Sequence, residues 1–380
     1  MQFAFNEEQE ELRAMARAFL EDHSSGEQVR QVMESELGYD PDVWKRIGSE
    51  LGWPAVIVPE EYGGLGLTWI ELVALLETTG EALLCSPFFS TVCLGGAALL
   101  AGGSDAQKRE YLPGLAEGRV RATLAVAEPS GRWDAAGIET VARRDGDEFV
   151  LTGSKRYVPD GHCADLFVLA ARCEGSTGEE GIGLFLVPAD AAGLEVSPLA
   201  TMDQTRRQAR LSLRDVRVAV AAVLGDPTGG WPALRKTLDL AAVGMAAEQV
   251  GGAQRCLDLS VAYAKERVQF GRAIGSFQAI KHKCADMMMA VESARSAAYY
   301  AACVAAEDSS ALPVAASTAK AVCSDAFFQC AAESIQIFGG VGFTWEYDPH
   351  LYFKRAKSTE VMLGGPDWHR ERVAQLVFDA

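Results

Sequence analysis

The stretch Arg267-Val268-Gln269-Phe270-Gly271-Arg272-Ala273-Ile274-Gly275-Ser276-Phe277-Gln278 gathers cations, aromatic rings, glycines and a terminal amide between two segments of helical periodicity. An Arg at a helix end followed by Gly is by itself an ordinary cap. With an exposed-looking Phe270 and Gln278 beside it, Arg267 belongs to a set that supplies a guanidinium for a pyrophosphate, a ring for an adenine and an amide for a polar edge. A second stretch, Gln336-Ile337-Phe338-Gly339-Gly340-Val341-Gly342-Phe343, ends a helix in paired glycines, whose missing Cβ lets a ligand approach the backbone. Read alone, it is a helix stop. A third, Ala125-Val126-Ala127-Glu128-Pro129-Ser130-Gly131-Arg132-Trp133-Asp134, is a strand end opening into a polar loop, with Gly153-Ser154-Lys155-Arg156-Tyr157-Val158-Pro159 on a neighbouring strand.

Commoner chemistries lack their residues. The G-x-G pairs at Gly64, Gly181 and Gly340 never continue to a third Gly at dinucleotide-fingerprint spacing after a strand, and no phosphate-loop motif occurs. The five histidines are scattered, without H-x-x-x-H or a Glu-x-x-His pair, so metal is not expected. G-x-S-x-G is absent, which removes a hydrolase elbow.

The elements that must position these stretches change along the chain. Up to about residue 118, apolar residues such as Leu12, Met15, Ala16, Phe19 and Leu20 fall at helical spacing, cut by breakers at Gly52-Trp53-Pro54 and Tyr62-Gly63-Gly64. Short Val-, Leu-, Ile- and Phe-rich runs follow, predicting strands over 121–127, 149–152, 166–171, 183–187, 195–198 and 209–213. Frequent turn signals between them point to a small antiparallel β-domain inserted between helical parts. The remainder is Ala-rich, with helices expected over 234–267, 277–308, 314–338 and 366–378, the pattern of a four-helix bundle. The expected division is therefore 1–120 helical, 121–228 β and 229–380 helical.

Three hundred and eighty residues call for two or three packed units. Lys and Arg number 35 against 52 Asp and Glu, a net charge of −17, which argues against a nucleic-acid partner. Nine cysteines, odd in number and with no C-x-x-C pair, read as reduced thiols used as small apolar fillers. With no signal-peptide pattern and apolar runs below the ~18–20 residues of a spanning helix, a cytoplasmic protein without membrane contact is expected.

Taken together and in this order, the stretches resemble the acyl-CoA dehydrogenase family. The likeness extends over nearly the whole chain: Pro59-Glu60-Glu61-Tyr62-Gly63-Gly64, Glu128-Pro129, Gly153-Ser154-Lys155, Arg267-x-x-Phe270-Gly271 with Phe277-Gln278, and Gln336-x-x-Gly339-Gly340-x-Gly342. It implies a helical N-terminal domain, a middle antiparallel β-barrel and a C-terminal four-helix bundle, with FAD shared across a subunit contact. Arg267, Phe270, Gln278, Gln336, Gly339 and Gly340 would then serve the flavin of an adjoining protomer. Val126, Ala127 and Glu128 would lie near the isoalloxazine, with Tyr157 and Pro159 on one face. The resemblance further implies α,β-desaturation of an acyl-CoA, a dimer or dimer of dimers, and electron-transfer flavoprotein as acceptor.

Against the family pattern, the Glu-Gly-Thr segment that carries the base corresponds to Leu363-Gly364-Gly365. The alternative base position, in a Glu-Arg pair, corresponds to Ala241-Ala242. Glu248 and Glu360 are the nearby carboxylates, each at a displaced position. On the flavin side, Arg132-Trp133-Asp134 and Tyr157-Val158-Pro159 replace the usual Gly-Ser-Asp and Trp-x-Thr segments, and proline removes a donor to the flavin. The leading expectation is a base-lacking subunit of a heteromeric complex, like the degenerate subunit of heteromeric actinobacterial acyl-CoA dehydrogenases. A homologous partner would carry the carboxylate. Thr344-Trp345-Glu346 with His350-Leu351-Tyr352 resembles the branch associated with sterol side chains and other bulky acyl-CoAs. The alternatives are a self-sufficient homo-oligomer with a displaced base, Glu248 first, and a non-redox acyl-CoA-binding scaffold.

Overall fold

The computed structural model describes residues 5–378. Among these residues the α-helices are α1 (Glu7–His23), α2 (Gly26–Glu34), α3 (Pro41–Ser49), α4 (Trp69–Glu81), α5 (Ala97–Gly102), α6 (Asp105–Ala116), α7 (Trp231–Glu266), α8 (Gln278–Ala306), α9 (Leu312–Phe338), α10 (Pro349–Val361) and α11 (Pro366–Phe378). The strands between α6 and α7 are β1 (Ala122–Ala125), β2 (Val141–Asp145), β3 (Glu148–Pro159), β4 (Leu166–Cys173), β5 (Ile182–Pro188), β6 (Leu194–Pro198), β7 (Gln208–Ala219) and β8 (Val223–Leu224). A short ribbon of β9 (Val268–Gln269) and β10 (Arg272–Ala273) separates α7 from α8.

Local chemistry accounts for many of the boundaries. Asn6 and Gln9 form a reciprocal capping box at α1, Ser104 and Gln107 another at α6, and Asp40 with Pro41 opens α3. The chain forms two compact units: one from the chain up to Gln31, Trp69–Leu84 and the chain from Ala242 on, the other from Val32–Thr68 and Cys85–Ala241.

In the first unit, α4 and α7 touch backbone to backbone. A Cβ on Gly251 would sit 1.8 Å from the Glu77 carbonyl oxygen, and one on Gly80 would sit 2.1 Å from that of Glu248. The buried Glu77 carboxylate accepts from Arg13 and Arg295, both at 3.1 Å, and so ties α1 and α8 to α4. The Tyr352 hydroxyl of α10 donates to the Glu81 carbonyl at 2.6 Å.

In the second unit the strands form one sheet in the order β6-β7-β3-β2-β4-β5-β8, with β1 paired to β4 beside that path. Its core includes Phe149, Leu151, Phe167, Leu169, Phe185, Leu211 and Val216. The sheet is mixed, which corrects the expectation of an antiparallel domain. β1 runs parallel to β4 from Ala122↔Leu166 to Ala125↔Leu169, and β2 runs parallel to the end of β4. The turn signals report only hairpins such as β2–β3, closed by Gly146 at φ 65. The parallel pairings join residues 44 positions apart for β1 with β4 and 31 apart for β2 with β4, and no turn residue announces them. The elements not anticipated include β2, whose charged Arg143, Arg144 and Asp145 mask its strand character, the two-residue strands β8, β9 and β10, and α10, between two glycine-rich turns.

Among the described residues no helix is long and apolar enough to cross a membrane, and no cluster of potential metal ligands occurs. All nine cysteines are free, seven of them buried.

Candidate active and cofactor site

On the sheet side, β1 runs into Val126, Ala127 and Glu128, which are 2%, 1% and 3% exposed. This strand end is stitched to β3. The fully buried Lys155 Nζ donates to Glu128 Oε1 at 2.6 Å and to the Val126 carbonyl at 3.1 Å. Glu128 Oε1 also accepts the Thr140 N–H at 2.9 Å, and the Ala127 carbonyl accepts the Arg156 N–H at 2.8 Å. Burial pushes Lys155 below the ordinary ammonium range, and the Glu128 carboxylate draws it part of the way back. Val126 and Ala127 are thus buried as whole residues, with both carbonyls already engaged.

The pairing of β3 with β7 shifts register between Lys155 and Val158, and Tyr157 lies within that irregularity at φ 57. Such a bulge re-aims a side chain, and Tyr157 is 39% exposed. Pro159 is buried, and its carbonyl accepts from Thr123 Oγ1 at 2.8 Å. Arg132 bonds its neighbour Asp134 at the surface.

On the bundle side, Gln269 pairs with Arg272 across a two-residue turn of Phe270 and Gly271, at φ 55 and 78. Positive φ at both central residues is the geometry of a type I′ turn, unusual for a bulky residue at the first position. The turn presents the Phe270 ring at its tip, 92% exposed. Phe277 stands edge-on to it with ring centroids 6.2 Å apart, and the Arg272 guanidinium lies 4.1 Å from the Phe277 ring. Arg267 and Gln278, at the two ends of this segment, are exposed.

Gln336 is exposed on the last turn of α9, which stops at Gly339 with φ 66 and ψ −144. Only glycine adopts that conformation readily. A Cβ on Gly339 or Gly340 would meet nothing, so the backbone there lies open. The two bundle segments meet through Tyr263, on the last turn of α7, whose ring stacks on Phe338 at 4.1 Å and 12°. Below them, Arg30 donates to the carbonyls of Trp345 and Tyr347, both at 2.9 Å, and pairs with Asp348 at 2.7 Å.

At the base positions expected from the resemblance, Ala241 and Ala242 are buried within α7. Leu363 is 3% exposed at φ 63, in the turn between α10 and α11, and a Cβ on Gly365 would meet nothing. Glu360 is paired with Lys357 at 2.9 Å, and Glu248 is buried in α7 at 6% exposure.

Residues 6–119, 123–216 and 228–378 match the N-terminal, middle and C-terminal domains of acyl-CoA dehydrogenase. The chain belongs to the acyl-CoA dehydrogenase family. It is 38% identical over 375 residues to acyl-CoA dehydrogenase IpdE2 of Mycolicibacterium smegmatis, covering 98% of this chain and 100% of that protein. Its fold matches butyryl-CoA dehydrogenase from Megasphaera elsdenii with a TM-score of 0.93 at 29% identity, all of both chains covered. It matches a chain of the ChsE4–ChsE5 complex from Mycobacterium tuberculosis with a TM-score of 0.91 at 27% identity, again over both whole chains. The acyl-CoA dehydrogenases are flavoprotein oxidoreductases that act on CH–CH groups in fatty acid β-oxidation, and FAD is the cofactor the family indicates.

The bundle-side residues fit such a cofactor: an exposed ring, a cation, amides and a glycine backbone onto which no side chain intrudes. The sheet side fits it less fully, because Pro159 has no N–H to offer and the carbonyls of Val126 and Ala127 are already bonded.

The reading from sequence quoted Lys155 only within Gly153-Ser154-Lys155, without a role, and missed Lys320, Arg30 and the Tyr263–Phe338 stack. A signal existed for Lys320, which is in phase with Ala316, Ala319, Cys323 and Phe327 on the buried face of α9.

Proposed function

We propose that this chain is the base-lacking subunit of a heteromeric acyl-CoA dehydrogenase that desaturates an acyl-CoA between its α and β carbons. The observation that carries the reading is an asymmetry. Each inferred base position (Ala241, Ala242, Leu363) is apolar and buried, while Phe270, Gln336, Gly339 and Gly340 are exposed. In this reading Arg267, Phe270, Gln278, Gln336, Gly339 and Gly340 face a partner's FAD. Val126, Ala127 and Tyr157 line the chain's own vestigial flavin face. The homologous partner, in a dimer of dimers, contributes the carboxylate that takes the α-proton. The ChsE4–ChsE5 complex supports an assembly of two different subunits.

Bound FAD would supply the hydride acceptor for the β-hydrogen. The chain's own residues prepare the surroundings. Arg267 offers a guanidinium to the pyrophosphate, and Phe270 offers a ring to the adenine. Lys155 and Glu128 fix the strand end that carries Val126 and Ala127. The division at residues 120 and 228, a bulky or sterol-derived acyl group, electron-transfer flavoprotein as acceptor and a cytoplasmic location belong to the same proposal.

A second reading makes Glu248 a displaced base in a self-sufficient homo-oligomer. It is favoured by the burial of that carboxylate in α7, the helix that also carries Ala241 and Ala242. The visible spectrum of the purified chain separates the readings. The heteromer requires colourless protein that gains flavin in stoichiometric amount only on co-expression with a base-containing homologue. Yellow protein that bleaches with an acyl-CoA on its own would instead establish autonomy. Acyl-CoA binding without flavin in any combination would leave a scaffold.

A further inference from the structure

We infer that Lys320 is a positioning residue whose amino group clamps the turn between α10 and α11 and so fixes the backbone at Leu363 and Gly364. Its side chain is fully buried in α9, on a face whose other buried positions are taken by apolar residues and small serines. Nζ lies 3.0 Å from Ser324 Oγ, 3.1 Å from the Glu360 carbonyl and 3.2 Å from the Gly364 carbonyl. The Glu360 carbonyl belongs to the last turn of α10, where carbonyls have no partner inside the helix and a cation complements the helix dipole. Ser324 Oγ lies in turn 3.0 Å from the Gln249 amide nitrogen of α7, which anchors the clamp to a second helix.

The carbonyl just before Gly364 is held from the other side. His369 Nε2 of α11 is 3.0 Å from the Leu363 oxygen. Burial, helped by Lys320 and Arg372, lowers the imidazole to about 3, so His369 is neutral near neutral pH and donates from Nε2. Two successive carbonyls are thus gripped by buried donors where Leu363 takes φ 63 and Gly364 φ 101. A left-handed conformation is unfavourable for a residue with a Cβ and persists where its surroundings over-determine it. Among the described residues Lys320 has no carboxylate partner within ion-pair distance, and burial lowers it to about 7. Packing alone does not account for a lysine here, since a methionine fills similar volume without desolvating an amine. What the lysine adds is three hydrogen bonds.

The clamp acts on the backbone and does not depend on the side chain at 363. Its consequence for chemistry rests on the reading of Leu363 as the vacated base position: the scaffold of that position is intact, so a carboxylate placed there would be held.

Hydrogen exchange in Lys320→Met tests the clamp. The Met362 and Gly364 amides bond to the Ser358 and Val361 carbonyls, both at 3.3 Å. They should exchange roughly tenfold faster or more, as expected for losing more than one net hydrogen bond, while amides in mid-α9 keep their rates. Lys320→Gln, with two donors left, should fall between, and it carries the comparison if the methionine variant does not fold. Unchanged exchange at Met362 and Gly364 would overturn the clamp. In a Leu363→Glu background, α-deuterium wash-in from D2O into an acyl-CoA reports proton removal to the new carboxylate and return of a deuteron from it. Adding Lys320→Met should lower the maximal rate about tenfold and leave the half-saturating substrate concentration unchanged. Equal maximal rates would overturn the positioning role. No wash-in in Leu363→Glu, together with faster exchange in Lys320→Met, would uphold the clamp and refute Leu363 as the base position.

Discussion

Replacing Lys155 by methionine removes one member of a buried ion pair and leaves the other in place. Glu128 is 3% exposed, and its Oε1 would retain only the Thr140 N–H at 2.9 Å, while the Val126 carbonyl would lose its 3.1 Å donor. Breaking such a pair from one side costs about 3–5 kcal/mol, because a desolvated charge is left behind. For a unit of this size that corresponds to a fall in Tm of roughly 6–20 °C. Glu128→Gln keeps an acceptor for Thr140 without the charge, so Lys155→Met with Glu128→Gln should recover most of the loss, to within about 2 kcal/mol of the parent. Urea denaturation of the four proteins near pH 7.5 measures the cycle. A deficit below about 1 kcal/mol in Lys155→Met, or no recovery in the double variant, would refute the pair as the fastening of this strand end.

Phe270→Gly should leave stability unchanged or raise it by up to about 1 kcal/mol, since the ring is 92% exposed and its φ of 55 suits glycine. The same variant should reduce the flavin retained by the co-expressed complex, read from its absorbance. Gly251→Ala should destabilise by about 3 kcal/mol or more in denaturant titration, because its Cβ would lie 1.8 Å from a backbone oxygen. His369, held at about 3 by burial, stays neutral in the fold, whereas the unfolded chain takes up a proton below about 6.5. Its contribution is therefore full above about pH 6.5 and is lost as pH falls toward 3, up to about 4–5 kcal/mol in all. Denaturation midpoints of the parent and His369→Gln between about pH 7 and pH 4 should converge as pH drops.

The sequence shows the helical, β and helical order because periodicity and turn residues change abruptly near Ala122 and Trp231. The long helices are visible for the same reason: α9 and α11 lie within two residues of their expected bounds. The parallel neighbours of β4 are hidden, since such pairing is set by packing between distant segments and leaves no local mark. Phe270, Gly339 and Gly340 are legible as surface features, one a ring in a turn and the others glycines at a helix stop. The roles of Lys155 and Lys320 are not, because a lone lysine in a strand or an Ala-rich helix ordinarily reaches solvent, and the phase of Lys320 with the apolar face of α9 marks burial without naming what its amine holds. Only the three-dimensional arrangement shows that each holds carbonyls of a segment distant in sequence.

The division of labour between two subunits is tested most directly by anaerobic bleaching of flavin in the co-purified complex after the partner's base is changed from Glu to Gln. With this chain unaltered, an added acyl-CoA should produce no bleaching, and restoring the partner's carboxylate should bring it back. Bleaching that persists without the partner's base, and disappears in Glu248→Gln of this chain, would contradict the account.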